Sequence, residues 1–223
     1  MTQAALPCLE FSTGLNPKST VIWLHGLGAD GWDFVPIVHE LGLPEDLAIR
    51  FIFPHAPKQA VTVNGGAVMR AWYDIALEGL ERRTDALGVR QSSSALAQLI
   101  DHERARGIPA NQIILAGFSQ GGVIALHTGL RYPEPLGGIM ALSTYLALPE
   151  TLGSEAHSAN QSIPILMAHG TQDQVVPLSL AERSKQALID HHYSVQWLTY
   201  PMAHSVSMEE LRAIKGFLLK VLS

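Results

Sequence analysis

The sequence predicts an α/β fold with a mostly parallel central sheet and helices on both faces. Two observations carry that expectation. Apolar runs of strand length alternate with helical patterns, and Gly and Pro punctuate the boundaries. The chain is also 47% hydrophobic and 16% charged, as expected where strands are covered on both sides and read as continuous apolar runs. Its 223 residues are expected to form a single domain, 1–223, with a sizeable core and no need of staples.

Strands are expected at Thr20–His25, Ala48–Phe53, Gln112–Phe118, Gly137–Ser143, Ile163–His169 and Val195–Tyr200, with an edge strand near Leu9–Thr13. Helices are expected between them. Ser92–Arg106 carries Leu96, Leu99 and Ile100 on one face and stops at Gly107-Ile108-Pro109. Gln120–Arg131 continues directly from a strand, and Leu180–Asp190 sets Leu180, Ala187 and Leu188 on one side. The last helix opens with Ser207 and Glu210 as a capping box, followed by a stripe of Leu211, Ile214, Leu218 and Val221.

Two connections bear on any site. His55–Thr84 is long, and Asn64-Gly65 within it signals a hairpin. Thr144–Ser162 is shorter and rich in Ala, Ser, Gly and Pro. Neither is large enough for a separate lid domain.

Composition excludes several function classes. The net charge of −5 leaves no basic face for phosphates, so no nucleic-acid partner is expected. Cys8 is the single cysteine, which rules out an internal disulfide. No apolar run reaches the roughly 18 residues of a membrane span, and no charged n-region opens the chain. The sequence therefore predicts a soluble, cytoplasmic protein; nothing in it decides an oligomeric state.

The sharpest local signal is Gly117-Phe118-Ser119-Gln120-Gly121, a G-x-S-x-G between an apolar strand and a helical run. This pattern sets a serine on a strained strand-to-helix turn that lifts its hydroxyl above the sheet edge. The small residues let neighbouring backbone pass close to the turn. A hydroxyl is a poor nucleophile until a base takes its proton, and the base needs an orienting acid. In chain order the acid should come next and the histidine last. Asp173 follows the strand Ile163–His169, and His204 follows Val195–Tyr200. Both lie beyond the carboxyl ends of their strands, as Ser119 does. The rivals His191 and His192 fall at a helix end on the wrong rim, and Glu182 and Asp190 lie on a helical face. The oxyanion hole is expected from the amides of Gln120 and Leu27, the latter in His25-Gly26-Leu27-Gly28.

The same glycines permit another reading. Gly26-Leu27-Gly28-Ala29-Asp30-Gly31 is a G-x-G-x-x-G after a strand. Against dinucleotide binding, Asp30 would oppose the pyrophosphate, and the strand Arg50-Phe51-Ile52-Phe53 ends without a ribose-binding acid. No cofactor is expected. No metal is expected either, because H-E-x-x-H and C-x-x-C are both missing. His25, His55, His127 and His169 read as packed or hydrogen-bonded structural residues.

Several of these strings occur together in a known family. His25-Gly26-Leu27-Gly28, Pro54-His55-Ala56-Pro57, Ala71-Trp72-Tyr73-Asp74, Gly117–Gly122 and His169–Pro177 resemble the phospholipase/carboxylesterase family, which includes acyl-protein thioesterases. The resemblance spans nearly the whole chain and implies an α/β-hydrolase fold. It implies Ser119, Asp173 and His204 as the catalytic triad, with Leu27 and Gln120 as oxyanion donors. It further implies that Trp72, Tyr145 and Val175 line an acyl pocket, a role suited to apolar side chains near strand ends. Pro201-Met202-Ala203 departs from the glycine that the family often carries before the histidine. The N-terminus has no cysteine of the kind found in some eukaryotic members, so the chain looks more like a bacterial esterase.

The expected activity is hydrolysis of short to medium acyl esters through an acyl-enzyme. Thioesters, lysophospholipids and acylated proteins are alternative substrates of the same site. A non-catalytic small-molecule-binding protein on the same fold is the rival from another class.

Overall fold

The computed structural model describes residues 6–78 and 81–222. Among these residues, seven strands build the central sheet: β1 (Cys8–Ser12), β2 (Ser19–Leu24), β3 (Ile49–Pro54), β8 (Ile113–Phe118), β9 (Gly138–Leu142), β10 (Ile165–Gly170) and β11 (Val195–Tyr200). Their order is β1-β3-β2-β8-β9-β10-β11. Only β1 runs antiparallel to its neighbour, with Leu9 opposite Phe53; the other pairings are parallel. All seven expected strands are present, each within two residues of its expected bounds at either end.

The remaining strands form two hairpins in the long connection after β3. β4 (Lys58–Val61) pairs with β5 (Ala67–Arg70) across the expected Asn64-Gly65 turn. Gly65 and Gly66 there have φ of 65° and 79°, a region open to glycine. β6 (Ile75–Glu78) pairs with β7 (Glu81–Thr84); this second hairpin has no clear signal in the sequence.

Among the described residues, six α-helices accompany the sheet: α1 (Pro36–Glu40), α2 (Ala86–Ala105), α3 (Gln120–Gly129), α4 (Leu152–Glu155), α5 (Leu178–Asp190) and α6 (Met208–Val221). Side chains alternate across each strand, so each strand feeds two cores. Ile22, Leu24, Ile113 and Leu115 pack with Leu96 and Ile100 of α2 and with Val123 and Leu126 of α3. Val21, Trp23, Ile114 and Ala116 pack on the opposite face with Ile37 of α1 and with Leu211, Ile214 and Phe217 of α6. This is the two-sided burial that the continuous apolar runs predict.

The starts of α2 and α5, the latter two residues before Leu180, and the cap of α6 differ from expectation. α2 begins six residues before Ser92, because the Asp85 carboxylate caps it by accepting from the Gly88 amide at 2.9 Å. The capping box at α6 is half formed. Ser207 Oγ accepts from the Glu210 amide at 3.2 Å, but the Glu210 carboxyl is fully buried and, among the described residues, has no hydrogen-bond partner. Burial pushes that carboxyl up to about 7.

Parallel pairing brings the carboxyl ends of the strands to one rim. Leu24 lies opposite Gly117, Phe118 opposite Leu142, and Gly170 opposite Tyr200. The segments that follow β2, β8, β10 and β11 therefore emerge side by side, where open α/β sheets place their sites.

Candidate active site

Ser119 sits between β8 and α3 with φ 55° and ψ −121°. A non-glycine residue in such a conformation stores on the order of 1–3 kcal/mol of strain, so its surroundings must enforce it. They do so through four hydrogen bonds to its backbone, one of them a longer contact from the Val123 amide to Ser119 O at 3.3 Å. Its amide donates to Leu142 O at 2.9 Å, and its carbonyl accepts from the Gly122 amide at 3.0 Å and from Thr144 Oγ1 at 2.6 Å. The motif glycines are sterically required. A Cβ on Gly117 would overlap the Gly121 carbonyl, and one on Gly121 would lie 2.6 Å from His25 O.

Asp173 lies three residues beyond the end of β10, in a turn that immobilises its carboxylate. Oδ1 accepts from the amides of Val175 at 2.9 Å and Val176 at 2.8 Å. Oδ2 faces His204 Nδ1 at 2.7 Å. The carboxylate only accepts, so Nδ1 carries the imidazole proton and Nε2 keeps a free lone pair. A second histidine, His169, donates from Nε2 to Val176 O at 2.9 Å and stands 3.5 Å from Asp173 Oδ2.

His204 follows β11, and its loop is zipped onto the acid's loop. The Thr171 amide donates to Tyr200 O at 2.8 Å and the Gln172 amide to Met202 O at 3.0 Å. Gly170 makes the approach possible, because a Cβ there would collide with Met202 O and lie 2.5 Å from Ala203 O. The Phe118 ring packs 4.6 Å, centroid to centroid, from the His204 imidazole. Pro201-Met202-Ala203 thus packs here without a glycine of its own, since Gly170 at the end of β10 provides the room.

Ser119 and His204 line one cavity of about 450 Å³. Leu27, Ala29, Phe34, Phe118, Val175 and Val206 give it an apolar wall, while Asp33 and Ser205 are polar members of the lining. Among the described residues, the amides of Leu27 and Gln120 have no hydrogen-bond acceptor. Leu27 lies on the cavity wall, and Gln120 is the first residue of α3, whose N-terminal dipole favours developing negative charge.

A family model described as Phospholipase/Carboxylesterase matches residues 11–222. The chain belongs to that family. It is 39% identical to acyl-protein thioesterase 1 of Schizosaccharomyces pombe, covering 91% of this chain and 92% of that protein. It is 34% identical to a probable carboxylesterase of Oryza sativa subsp. japonica, covering 96% and 81% of the two chains. The crystal structure of Arabidopsis thaliana SOBER1 superposes with a TM-score of 0.87 at 31% identity, covering 92% of this chain and 99% of that one. The fold is accordingly the α/β-hydrolase fold, and the protein is a hydrolase of the carboxylesterase and acyl-protein thioesterase type.

Placed in this hydrolase, the residues singled out in the sequence separate into two groups. Ser119, Asp173, His204, Leu27, Gln120 and Val175 gather at the rim. Trp72 and Tyr145 do not belong to the described cavity lining. They are 1% and 7% exposed, with polar ends turned to the core: Trp72 Nε1 donates to His25 O at 2.8 Å, and the hydroxyls of Tyr145 and Tyr73 meet at 2.9 Å. Sequence reasoning missed Phe34, Phe118 and Val206 on the cavity wall. Phe118 lies inside the G-x-S-x-G string and Val206 two residues past His204, so proximity to the motif was the available signal.

The Gly26–Gly31 string has a different use from phosphate binding. Asp30 caps a short 3-10 helix, Gly31–Phe34, by accepting from the Trp32 amide at 2.9 Å. Gly31 is small because a Cβ would stand 2.7 Å from Phe53 O. His55 Nδ1 accepts from the Gly31 amide at 3.1 Å. Among the described residues no group of three or more His, Cys, Asp or Glu side chains is placed to hold a metal ion, and no helix is long and apolar enough to cross a membrane.

Proposed function

We propose that the protein hydrolyses carboxylic esters and thioesters of short to medium acyl chains through an acyl-enzyme on Ser119. The observation that carries this reading is the 2.7 Å contact between Asp173 Oδ2 and His204 Nδ1 at the cavity that also holds the strained Ser119. His204 Nε2 takes the Ser119 proton as Oγ attacks the acyl carbonyl, and Asp173 stabilises the imidazolium. The Leu27 and Gln120 amides receive the oxyanion, each worth about 10²–10³ in turnover. The carbonyl re-forms as the bond to the leaving group breaks, and Nε2–H protonates the departing alkoxide or thiolate. Water, deprotonated by His204, then releases the acid and regenerates Ser119.

The cavity supports the acyl preference. At about 450 Å³ it sits toward the lower end of the roughly 300–1,000 Å³ of ligand pockets, and its wall is largely apolar. The relatives named acyl-protein thioesterase support acylated proteins as a substrate class, with the acyl chain in this cavity and the protein outside it.

Two measurements test the proposal. Wild type should react with a fluorophosphonate at Ser119, read by peptide mass spectrometry, and Ser119→Ala should lose p-nitrophenyl butyrate hydrolysis; wild-type turnover by that variant rejects the mechanism. A series of p-nitrophenyl esters and matched thioesters should show its optimum at short to medium chains. An optimum at long chains rejects the substrate assignment alone.

A further inference from the structure

We infer that His25 and Trp72 are positioning residues, bracing the two amides assigned above to the oxyanion hole within one hydrogen-bonded network. The inference rests on that assignment of Leu27 and Gln120.

His25 is fully buried at the end of β2. The Ala56 amide donates to its Nε2 at 3.0 Å, so Nε2 is the unprotonated nitrogen. Nδ1 therefore carries the proton and donates to Gly26 O at 2.7 Å. The Gly26 carbonyl and the Leu27 N–H are the two ends of a single trans peptide, and a planar trans unit points them in opposite directions. Holding the carbonyl thus aims the N–H. The Ala29 amide reaches the same carbonyl at 3.3 Å, a longer contact that leaves His25 the principal anchor. Burial lowers the His25 pKa and so favours the neutral ring, while the Ala56 and Gly26 partners fix its tautomer.

Trp72 extends the brace to the second amide. Its indole Nε1 donates to His25 O at 2.8 Å, and its own backbone amide donates to Gln120 Oε1 at 2.8 Å. Gln120 Nε2 in turn donates to Tyr73 O at 2.7 Å. The loop bearing Leu27 and the first residue of α3 are therefore tied through one buried tryptophan, and their spacing is set before any substrate arrives. Preorganised donors of this kind spend no free energy on reorientation as charge develops.

Three substitutions in the full chain test the brace. His25→Asn keeps an amide donor where Nδ1 stood and gives up the Ala56 contact. His25→Gln keeps a polar group where Nε2 stood and gives up the donor to Gly26. Trp72→Phe removes the indole N–H. Saturation kinetics on p-nitrophenyl butyrate should show His25→Gln losing about 100-fold in kcat with KM little changed, and His25→Asn staying within about tenfold of wild type. Trp72→Phe should lose about fivefold, the equivalent of one neutral hydrogen bond. A trifluoromethyl ketone, which binds Ser119 as a tetrahedral adduct, should weaken across the series in step with kcat/KM.

The brace is overturned if His25→Asn and His25→Gln turn over equally, if kcat merely follows melting temperature, or if ketone affinity stays constant while kcat falls. Wild type that neither labels at Ser119 nor cleaves the ester overturns the underlying assignment instead.

Discussion

Replacing Asp173 with Asn separates the tautomer of His204 from its position. Oδ1 of the carboxylate accepts two amides, from Val175 and Val176, and Oδ2 holds His204 Nδ1. An asparagine in the same rotamer keeps its oxygen on the two amides and turns its NH₂ toward the imidazole. Nδ1 must then accept, the ring proton moves to Nε2, and the atom facing the serine is no longer a base. The expected loss in kcat is about 10⁴-fold, equivalent to about 5.5 kcal/mol of transition-state stabilisation. Stability should change little, because the turn keeps its oxygen acceptor. Asp173→Ala should lose kcat similarly and also cost about 1–3 kcal/mol of folding free energy, because the buried Val176 amide loses its partner. The assay pairs saturation kinetics on a p-nitrophenyl ester with urea unfolding of all three proteins. Retention of more than about one hundredth of wild-type kcat by Asp173→Asn would refute the tautomer argument.

Two further outcomes follow from named contacts. Glu210, raised from 4.5 to about 7 by burial, binds its proton more tightly folded than unfolded, so its contribution to stability is full below pH 4.5 and is lost as pH rises to about 7. A shift of that size corresponds to about 3 kcal/mol; Glu210→Gln should remove this slope, and identical pH dependence of urea unfolding in the two proteins rules it out. Gly170→Ala forces the His204 loop away from β10, since Met202 O and Ala203 O are backbone atoms that cannot swing aside. Turnover should fall about 100-fold with the far-ultraviolet circular dichroism unchanged, and wild-type kcat would contradict the steric argument.

The sheet was legible in the sequence because both faces of its strands are covered, giving continuous apolar runs such as Ile113–Ala116 whose short length and Gly and Pro boundaries mark them as strands. The rim positions of Ser119, Asp173 and His204 followed from the strand ends alone. The start of α2 was obscured by Gly88, a poor helix residue that is in fact the amide partner of the Asp85 cap. Trp72 and Tyr145 show where pattern reasoning stops. A large aromatic near a strand end looks the same in sequence whether its polar atom meets a ligand or a buried carbonyl, and here both polar atoms find partners within the protein. The half-formed box at Ser207 teaches the same: the S-x-x-E spacing allows the reciprocal contact, but the spacing does not show that the Glu210 carboxyl is buried.

The segment bearing His204 departs from β11, a strand bonded to a neighbour on one flank only. Such margins open at lower free-energy cost than the middle of a sheet. Moderate warming should therefore silence the enzyme reversibly while the nucleophile's own strand, held between β2 and β9, stays in place. Ester turnover should then be lost on warming before the far-ultraviolet circular dichroism changes, and coincident transitions would refute this. Reinforcing the β11 border would extend the working range without altering the reacting groups.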